Sequence, residues 1–558
     1  MNHLQNIKHT LFPYQERDMN NVIEALQHNR KICFVAQTSY GKTFSFCTVS
    51  KWYNQTYNKK VVILCHREEL VHQATKTCIS LGMTVEKVMP GVNRYHHCAD
   101  VYIGMEMTIH NKLKKNPNFF KDLGMIVIDE VHDGHFDKHI EQFTTQKILG
   151  FTATPIREKR LTYFKCPRCK SVSNELDDCC GFEMEEWSKP FSMSLLFDDI
   201  VIGASTDELI EFGSIVKDIN FVEHFTDLTD LKTDSTGEFT TESQNAVFAK
   251  KDAVFNCLLN YENICKGKKT IIFNPSAKVN KMIYEQFKEA GYNIKLYDSV
   301  NETEMSRKET VKWFEENDDA ILCNVACFTT GFDSREVQAV ILNRAIGTLS
   351  LFLQCVGRGA RSSNSIYKDS FIVIDGGGNI ERHNTWSSPR DWVKIFNEGI
   401  GKDRAKKETP LSVAECEDCG FLFARSESTC PNCGHVTPTK QKPERQPGET
   451  ILTPIDNIPL PNGKKIATYV LSKGGDIHMA FKVMYEQILD LFRLNLVSKE
   501  QYLNNKNDGR LAKRFGEIIR PVYFALLNTP EFPKDSNRTL KYVTKKTIEK
   551  LDRYYGLS

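Results

Sequence analysis

No apolar run in this 558-residue chain approaches the roughly 20 residues that a bilayer-spanning helix needs. The first ten residues, Met1 to Thr10, are polar and lack the apolar stretch of a secretory signal, so a cytoplasmic protein without a membrane partner is expected. Net charge is scarce as well: 73 Lys and Arg against 71 Asp and Glu leave only +2, which neither demands nor excludes a polyanionic partner. That average hides an asymmetry. Residues 440–558 hold 21 Lys and Arg against 13 Asp and Glu, a local excess that suits a polyanion, or else a solvated basic face. The spacing of a secreted disulfide scaffold is missing too. Of 18 cysteines, eight lie in two tight clusters, and others (Cys33, Cys65, Cys323) sit in apolar runs, where a reduced thiol acts as a small hydrophobe.

What is present is ordinary globular composition, 41% hydrophobic and 26% charged, in a chain too long for one core. Short apolar runs recur at Lys31–Ala36, Val61–Cys65, Val101–Ile103, Met125–Ile128 and Ile148–Phe151, with helical stretches between several of them. The rhythm resumes at Thr270–Phe273, Ile294–Tyr297, Ala320–Cys323, Ala339–Leu342 and Phe371–Ile374. Strands alternating with helices predict an α/β fold with two parallel-sheet lobes. The expected division is a first lobe at 1–160, a cysteine-rich insertion at 161–190 and a lobe-linking segment at 191–245. A second lobe at 246–400, a zinc ribbon at 410–437, a Pro-rich linker at 438–461 and a basic helical region at 462–558 would follow. Within the last, Ile477 to Leu496 carries apolar residues at helical spacing.

Two motifs carry the chemistry. Ala36-Gln37-Thr38-Ser39-Tyr40-Gly41-Lys42-Thr43 lies between a strand and a helix, the setting of a phosphate-binding loop. Its backbone N–H groups and helix N-terminus attract phosphates, Lys42 reaches the β and γ oxygens, and Thr43 is suited to ligate Mg²⁺. Ala36 replaces the usual first glycine, and Ser39 and Tyr40 stand where smaller residues are common. Asp129-Glu130-Val131-His132 ends the run Met125–Ile128, so both carboxylates would emerge at a strand's C-terminal end. Asp129 suits Mg²⁺, and Glu130 suits activation of the attacking water.

With Tyr14-Gln15, Thr152-Ala153-Thr154, Thr329-Thr330-Gly331-Phe332-Asp333 and Gln354-Cys355-Val356-Gly357-Arg358-Gly359-Ala360-Arg361, these motifs in this order resemble superfamily-two helicases of the DEAD/DEAH type. Among them the chain looks most like the RadD-like bacterial and phage DNA helicases. The resemblance covers about residues 10 to 375 and implies two tandem RecA-like lobes with ATP between them. Gln15 would read the adenine edge, although Phe12 departs from the usual arginine. Thr152 and Thr154 would couple hydrolysis to lobe movement, and Gly331 and Asp333 would lie near the ATP ribose and the nucleic acid. Gln354 belongs to the same motif as Arg358 and Arg361, which would act as arginine fingers from the second lobe. The resemblance further implies 3′-to-5′ movement on single-stranded or forked nucleic acid, DNA preferred, beside single-strand-binding or recombination proteins. An RNA helicase or transcription-linked translocase would share every ATPase residue, and a zinc-dependent nucleic-acid-binding protein with weak ATPase is a rival from another class.

Strand-end residues His66, Arg67, Thr108 and Asn274, together with Thr329, are candidate nucleic-acid contacts, with His66 and Arg67 equally able to pair with Glu68 or Glu69. Cys416-x₂-Cys419-x₁₀-Cys430-x₂-Cys433 has the spacing of a four-thiolate Zn²⁺ site, each pair followed by glycine. Cys166, Cys169, Cys179 and Cys180 form a less regular second candidate. Both clusters would staple small folds that have little core of their own, or grip DNA or a protein partner.

Overall fold

The structure, a computed structural model, describes most of residues 3–400, the segments 413–415, 422–424, 452–454, 463–473 and 477–494, and scattered positions from 502 to 557. Within the first part, residues 5–10, 67, 93–94, 96–97, 117–118, 158–159, 167, 170, 174–177, 180–181, 224–225, 235–236, 299, 301–304, 326 and 329–333 lie outside the described set. So do the expected sites Arg67, Cys180, Thr329, Gly331, Asp333, Cys416, Cys419, Cys430 and Cys433.

Two seven-stranded sheets dominate. In the first, the spatial order is Asp199–Ile202, Lys31–Val35, Lys147–Thr152, Leu123–Asp129, Lys60–Cys65, Val101–Met105 and Val85–Val88, all parallel. In the second it is Ile294–Tyr297, Ile321–Asn324, Thr270–Phe273, Ala339–Leu342, Ser370–Asp375, Lys217–Glu223 and Leu452–Pro454, parallel except for the last. The sequence patterning explains why: Ile126, Val127 and Ile128 are all fully buried, as a strand covered by helices on both faces requires.

Segment 191–245 is more than a link. Its strand Asp199–Ile202 pairs with Lys31–Val35 in the first lobe, and its strand Lys217–Glu223 pairs with Ser370–Asp375 in the second. The Pro-rich stretch likewise adds Leu452–Pro454 to an edge, the position where a strand tolerates proline. The cysteine-rich insertion folds as antiparallel strands, Arg160–Lys165 with Glu185–Pro190 and with Val172–Ser173. In the C-terminal region, helices Gly463–Ser472 and Ile477–Leu494 bury Ile466, Val470, Ala480, Met484 and Ile488, each at four-residue spacing within its helix. Among the described residues no helix is long and apolar enough to cross a membrane.

Candidate active site between the two lobes

The phosphate-binding loop leaves strand Lys31–Val35 and enters helix Lys42–Tyr57 through Gly41, whose φ of 90° is left-handed and suits glycine. Ser39 adopts φ 71° without being glycine. Glu130, across the site, does the same at φ 53°. Each such residue costs about 1–3 kcal/mol, and this kind of backbone strain collects where a site holds its groups in place.

Tyr40 does not point toward a ligand. Its ring is fully buried between Tyr14 and Phe34, at centroid distances of 5.3 and 5.5 Å. Its hydroxyl donates to the Asp18 carboxylate at 3.0 Å. Asp18 also accepts from the Ala204 N–H at 2.8 Å and from Arg17. Burial raises the Asp18 carboxyl above its ordinary value, against the pull of those donors. A bulky residue in the loop is thus accommodated by turning its side chain into the core. Gln15 supports the same loop: its amide donates to the Tyr40 carbonyl at 2.9 Å and accepts from the Phe12 N–H at 3.1 Å. Ala36 and Gln37 are buried, Thr38 and Thr43 are half-buried, and Gln37 donates to Thr206 at 3.2 Å.

The acids stand opposite. Lys42 Nζ donates to Glu130 Oε1 at 2.7 Å, and His132 Nδ1 lies 3.2 Å from Glu130 Oε2. Burial alone would raise Glu130, but the Lys42 charge and the hydrogen bond from His132 outweigh it and hold the carboxyl well below its usual range. Asp129 goes the other way: burial and the neighbouring Glu130 charge push it up to about 7. A buried acid so penalised for its charge is a fitting ligand for a divalent cation, which would offset that penalty.

The second lobe reaches into this group at several points. Gln354 Nε2 lies 3.2 Å from His132 Nε2. An amide NH₂ only donates, so that ring nitrogen accepts and the proton sits on Nδ1, facing Glu130 and Thr152 Oγ1 (3.0 Å). Thr152 hydroxyl in turn donates to the Thr154 carbonyl at 2.8 Å, and Thr154 Oγ1 meets Ser350 Oγ of the second lobe at 3.0 Å. Arg361 Nε donates to Ser39 Oγ in the phosphate loop at 3.2 Å. At Gly357 an added Cβ would lie 3.2 Å from Thr38 Oγ1 and 2.7 Å from the Leu353 carbonyl, so the absence of a side chain allows the close approach. Arg358 is buried in the same turn.

The structure therefore brings together Gln15, the whole loop from Ala36 to Thr43, Asp129, Glu130, Thr152, Thr154, Gln354, Arg358 and Arg361. It does not bring Asn274 to a surface. That side chain is fully buried, donating to Asn280 at 2.9 Å and accepting from Asn343 at 2.7 Å, so it braces the second lobe's interior and has no free face for phosphate. His66 is half-buried just past strand Lys60–Cys65, whereas Thr108, expected at a strand end, is half-buried in the first turn of helix Glu106–Lys115. Cys166 is buried in a turn closed by its N–H to the Ser171 carbonyl, and Cys169 is exposed. The side chain of Cys179 lies outside the description. Among the described residues no group of three or more His, Cys, Asp or Glu is arranged to hold a metal.

Sequence reasoning missed Arg157, which is buried, donates to the His132 carbonyl at 2.5 Å and pairs with Asp137. It ties the Thr152–Thr154 turn to the acidic box, and its place three residues after Thr154 was the available signal. Ser350 was missed too, although it lies four residues before Gln354 and hence on the same helix face.

Two parallel-sheet lobes closing on a phosphate loop, an acidic pair and an arginine pair define a nucleotide-binding motor fold. Residues 8–157 match the family described as type III restriction enzyme, res subunit, and residues 249–363 match the helicase conserved C-terminal domain. These are the two domains of superfamily-two helicases, and the chain carries both in that order. Relatives include a 51.5 kDa protein of a Lactococcus phage, 24% identical over 69% of this chain and 74% of that one. IRC3 of Saccharomyces cerevisiae, named as an ATP-dependent helicase, is 23% identical over 65% of this chain but only 50% of its own length. A fragment of an HsdR-type subunit of a type I restriction enzyme from Vibrio vulnificus shares the fold, with a TM-score of 0.51 at 19% identity over 70% of this chain and 69% of that one.

Proposed function

We propose that the protein is an ATP-driven translocase that moves 3′ to 5′ along single-stranded DNA and opens forked duplexes during replication, recombination or repair. One observation carries the reading: Arg361 of the second lobe lies on Ser39 of the phosphate loop while Gln354 lies on His132 of the acidic box. Groups from both lobes converge on one seat, so hydrolysis and lobe closure are a single event.

In that seat Lys42 leaves Glu130 for the β and γ oxygens, and the freed Glu130 carboxylate takes the proton of the attacking water. Thr43 and Asp129 would hold Mg²⁺, which supplies charge neutralisation on the phosphates. Arg358 and Arg361 meet the charge that develops on the γ-phosphoryl oxygens. Gln15 would present its remaining amide capacity to the adenine edge, with Gly331 and Asp333 beside the ribose. Opening after product release passes through His132, Thr152 and Thr154, which link Glu130 to Ser350 across the cleft.

His66, Arg67, Thr108 and Thr329 are proposed to touch the strand's backbone, which positions it without reading sequence. The basic C-terminal region would add sequence-independent affinity, and single-strand-binding or recombination proteins in the cytoplasm are the proposed company. Cys416, Cys419, Cys430 and Cys433 are proposed to bind Zn²⁺, as are Cys166 and Cys169 with Cys179 or Cys180. Elemental analysis of the purified chain should then return one to two zinc per molecule, and a metal-free, folded protein would remove both assignments.

The substrate class is tested by ATP turnover against a panel of single-stranded DNA, single-stranded RNA and forked duplex at one salt concentration. Stimulation by DNA at least about tenfold above that by RNA is expected, since Lys and Arg contacts to phosphate must be joined by sugar discrimination. The reverse order makes the protein an RNA motor with the same ATPase.

A further inference from the structure

We propose that Lys368 is a positioning residue for Arg361, and that helix Gly463–Ser472 of the C-terminal region braces the loop carrying it, so that this region sets how the second lobe's arginine is presented to ATP. The inference rests on the role given to Arg361 above.

Arg361 sits at the end of a turn, where its backbone must be fixed for its guanidinium to reach Ser39. Three contacts fix it. The residue forms an antiparallel bridge with Ile215 of the lobe-linking segment. Ser362 Oγ donates to the Ser214 carbonyl at 3.1 Å, and Ser214 Oγ meets Tyr14 at 2.9 Å beside the phosphate loop. The third contact comes from the following loop: Lys368 Nζ donates to the Arg361 carbonyl at 2.8 Å, and to that of Arg335 at 3.4 Å.

Both of these Lys368 partners are carbonyls. Burial, with the Arg361 charge adding, lowers the ammonium to about 7, so the surroundings hold this group at a cost to its charge. The same segment clasps the arginine motif from another side. A Cβ added at Gly359 would overlap the Phe371 ring, so Phe371 fills the space that a larger residue would occupy between Arg358 and Arg361.

The loop between Arg361 and Lys368 is held in turn from outside the lobe. Ser363 Oγ accepts from the N–H groups of Ser365 and Ile366 at 3.1 and 3.3 Å, which closes a tight turn. Tyr469 of the C-terminal helix donates its hydroxyl to the Ser365 carbonyl at 3.3 Å. Its ring meets that of Tyr367, one residue before Lys368, at 5.3 Å and 71°. The next helix has a separate anchor: Asp490 pairs with Lys268 Nζ at 2.6 Å, just before strand Thr270–Phe273. Two anchors on one lobe make the C-terminal helices travel with the arginine pair, and one of those anchors lies on the arginine's own loop. Misplacement of a reacting group by about 1 Å can cost as much as 100-fold in rate, so a brace at this point controls turnover without touching the nucleotide.

The test compares Lys368→Met, Lys368→Arg, Tyr469→Ala and Arg361→Ala in the full chain, with kcat and KM for ATP measured beside thermal melting. Lys368→Met should lower kcat about tenfold with KM within about twofold, and Lys368→Arg, which keeps the donor, should return kcat to within about threefold. Tyr469→Ala, at a partly exposed position, should lower kcat about threefold with KM and melting preserved. A Lys368→Met enzyme that keeps its kcat overturns the positioning role. So does one whose melting and kcat fall together without rescue by arginine. Unchanged turnover in Tyr469→Ala overturns the brace. If Arg361→Ala itself keeps parental turnover, the fault lies in the interlobe reading, a result separable from failure of the Lys368 arm alone.

Discussion

Replacing Arg361 with alanine is expected to lower kcat for ATP by about 10²–10³-fold while KM changes by no more than about threefold. The magnitude follows from what an arginine delivered by a second element is worth in phosphoryl transfer, about 10³–10⁵ where the transition-state charge depends on it, reduced here because Arg358 lies in the same turn. The split between kcat and KM follows from geometry. The loop, Lys42 and Gln15 all belong to the first lobe and, in the proposed role, would hold the ground-state nucleotide. Arg361 would contribute only when the second lobe is seated, and its contact with Ser39 shows that its reach extends to the loop. An interaction made mainly in the transition state lowers kcat and kcat/KM equally. Steady-state kinetics with a direct nucleotide-binding measurement checks this; equal weakening of binding and turnover would make Arg361 an ordinary phosphate ligand.

Glu130→Gln is expected to reduce kcat about 10³-fold, within the range that a general base contributes, yet to leave ATP binding equal or tighter. Glutamine cannot accept the proton of the attacking water. It also lacks the charge that engages Lys42 at 2.7 Å, so Lys42 is released to the phosphates at lower cost. Rate and affinity should thus move in opposite directions. Loss of ATP binding in a folded Glu130→Gln chain would mean that the Lys42–Glu130 pair is a structural prop rather than the resting form of the catalytic site.

The buried-strand runs of both lobes were legible because a parallel sheet covered on two faces leaves long uninterrupted apolar stretches such as Met125–Ile128. The loop and the acidic box were legible because their chemistry demands fixed residue types at the ends of such strands. Strands Asp199–Ile202 and Lys217–Glu223 were not, since Asp199, Lys217, Asp218 and Asn220 break the apolar pattern inside a polar segment. Tyr40 looked like a defect in the loop because nothing local reveals that Asp18, 22 residues earlier, waits in the core to accept its hydroxyl. Asn274 failed for the opposite reason: a polar residue ending a strand reads the same whether it faces solvent or, as here, a buried amide network. The interlobe contacts were implied by motif order, yet Ser350, Arg157 and Lys368 have backbone, hydroxyl or carboxylate partners that only the folded arrangement supplies.

The most direct test of an ATPase seated between the lobes is turnover by the full chain bearing Lys42→Ala, assayed beside the parent with saturating single-stranded DNA. Removing the cation that reaches the phosphates should cost at least about 100-fold in kcat, since loss of one preorganised charge-stabilising donor alone costs about 10²–10³. Turnover that survives Lys42→Ala at the parental rate would contradict the account, because hydrolysis would then occur somewhere other than the seat formed by this loop, the acidic box and Arg361.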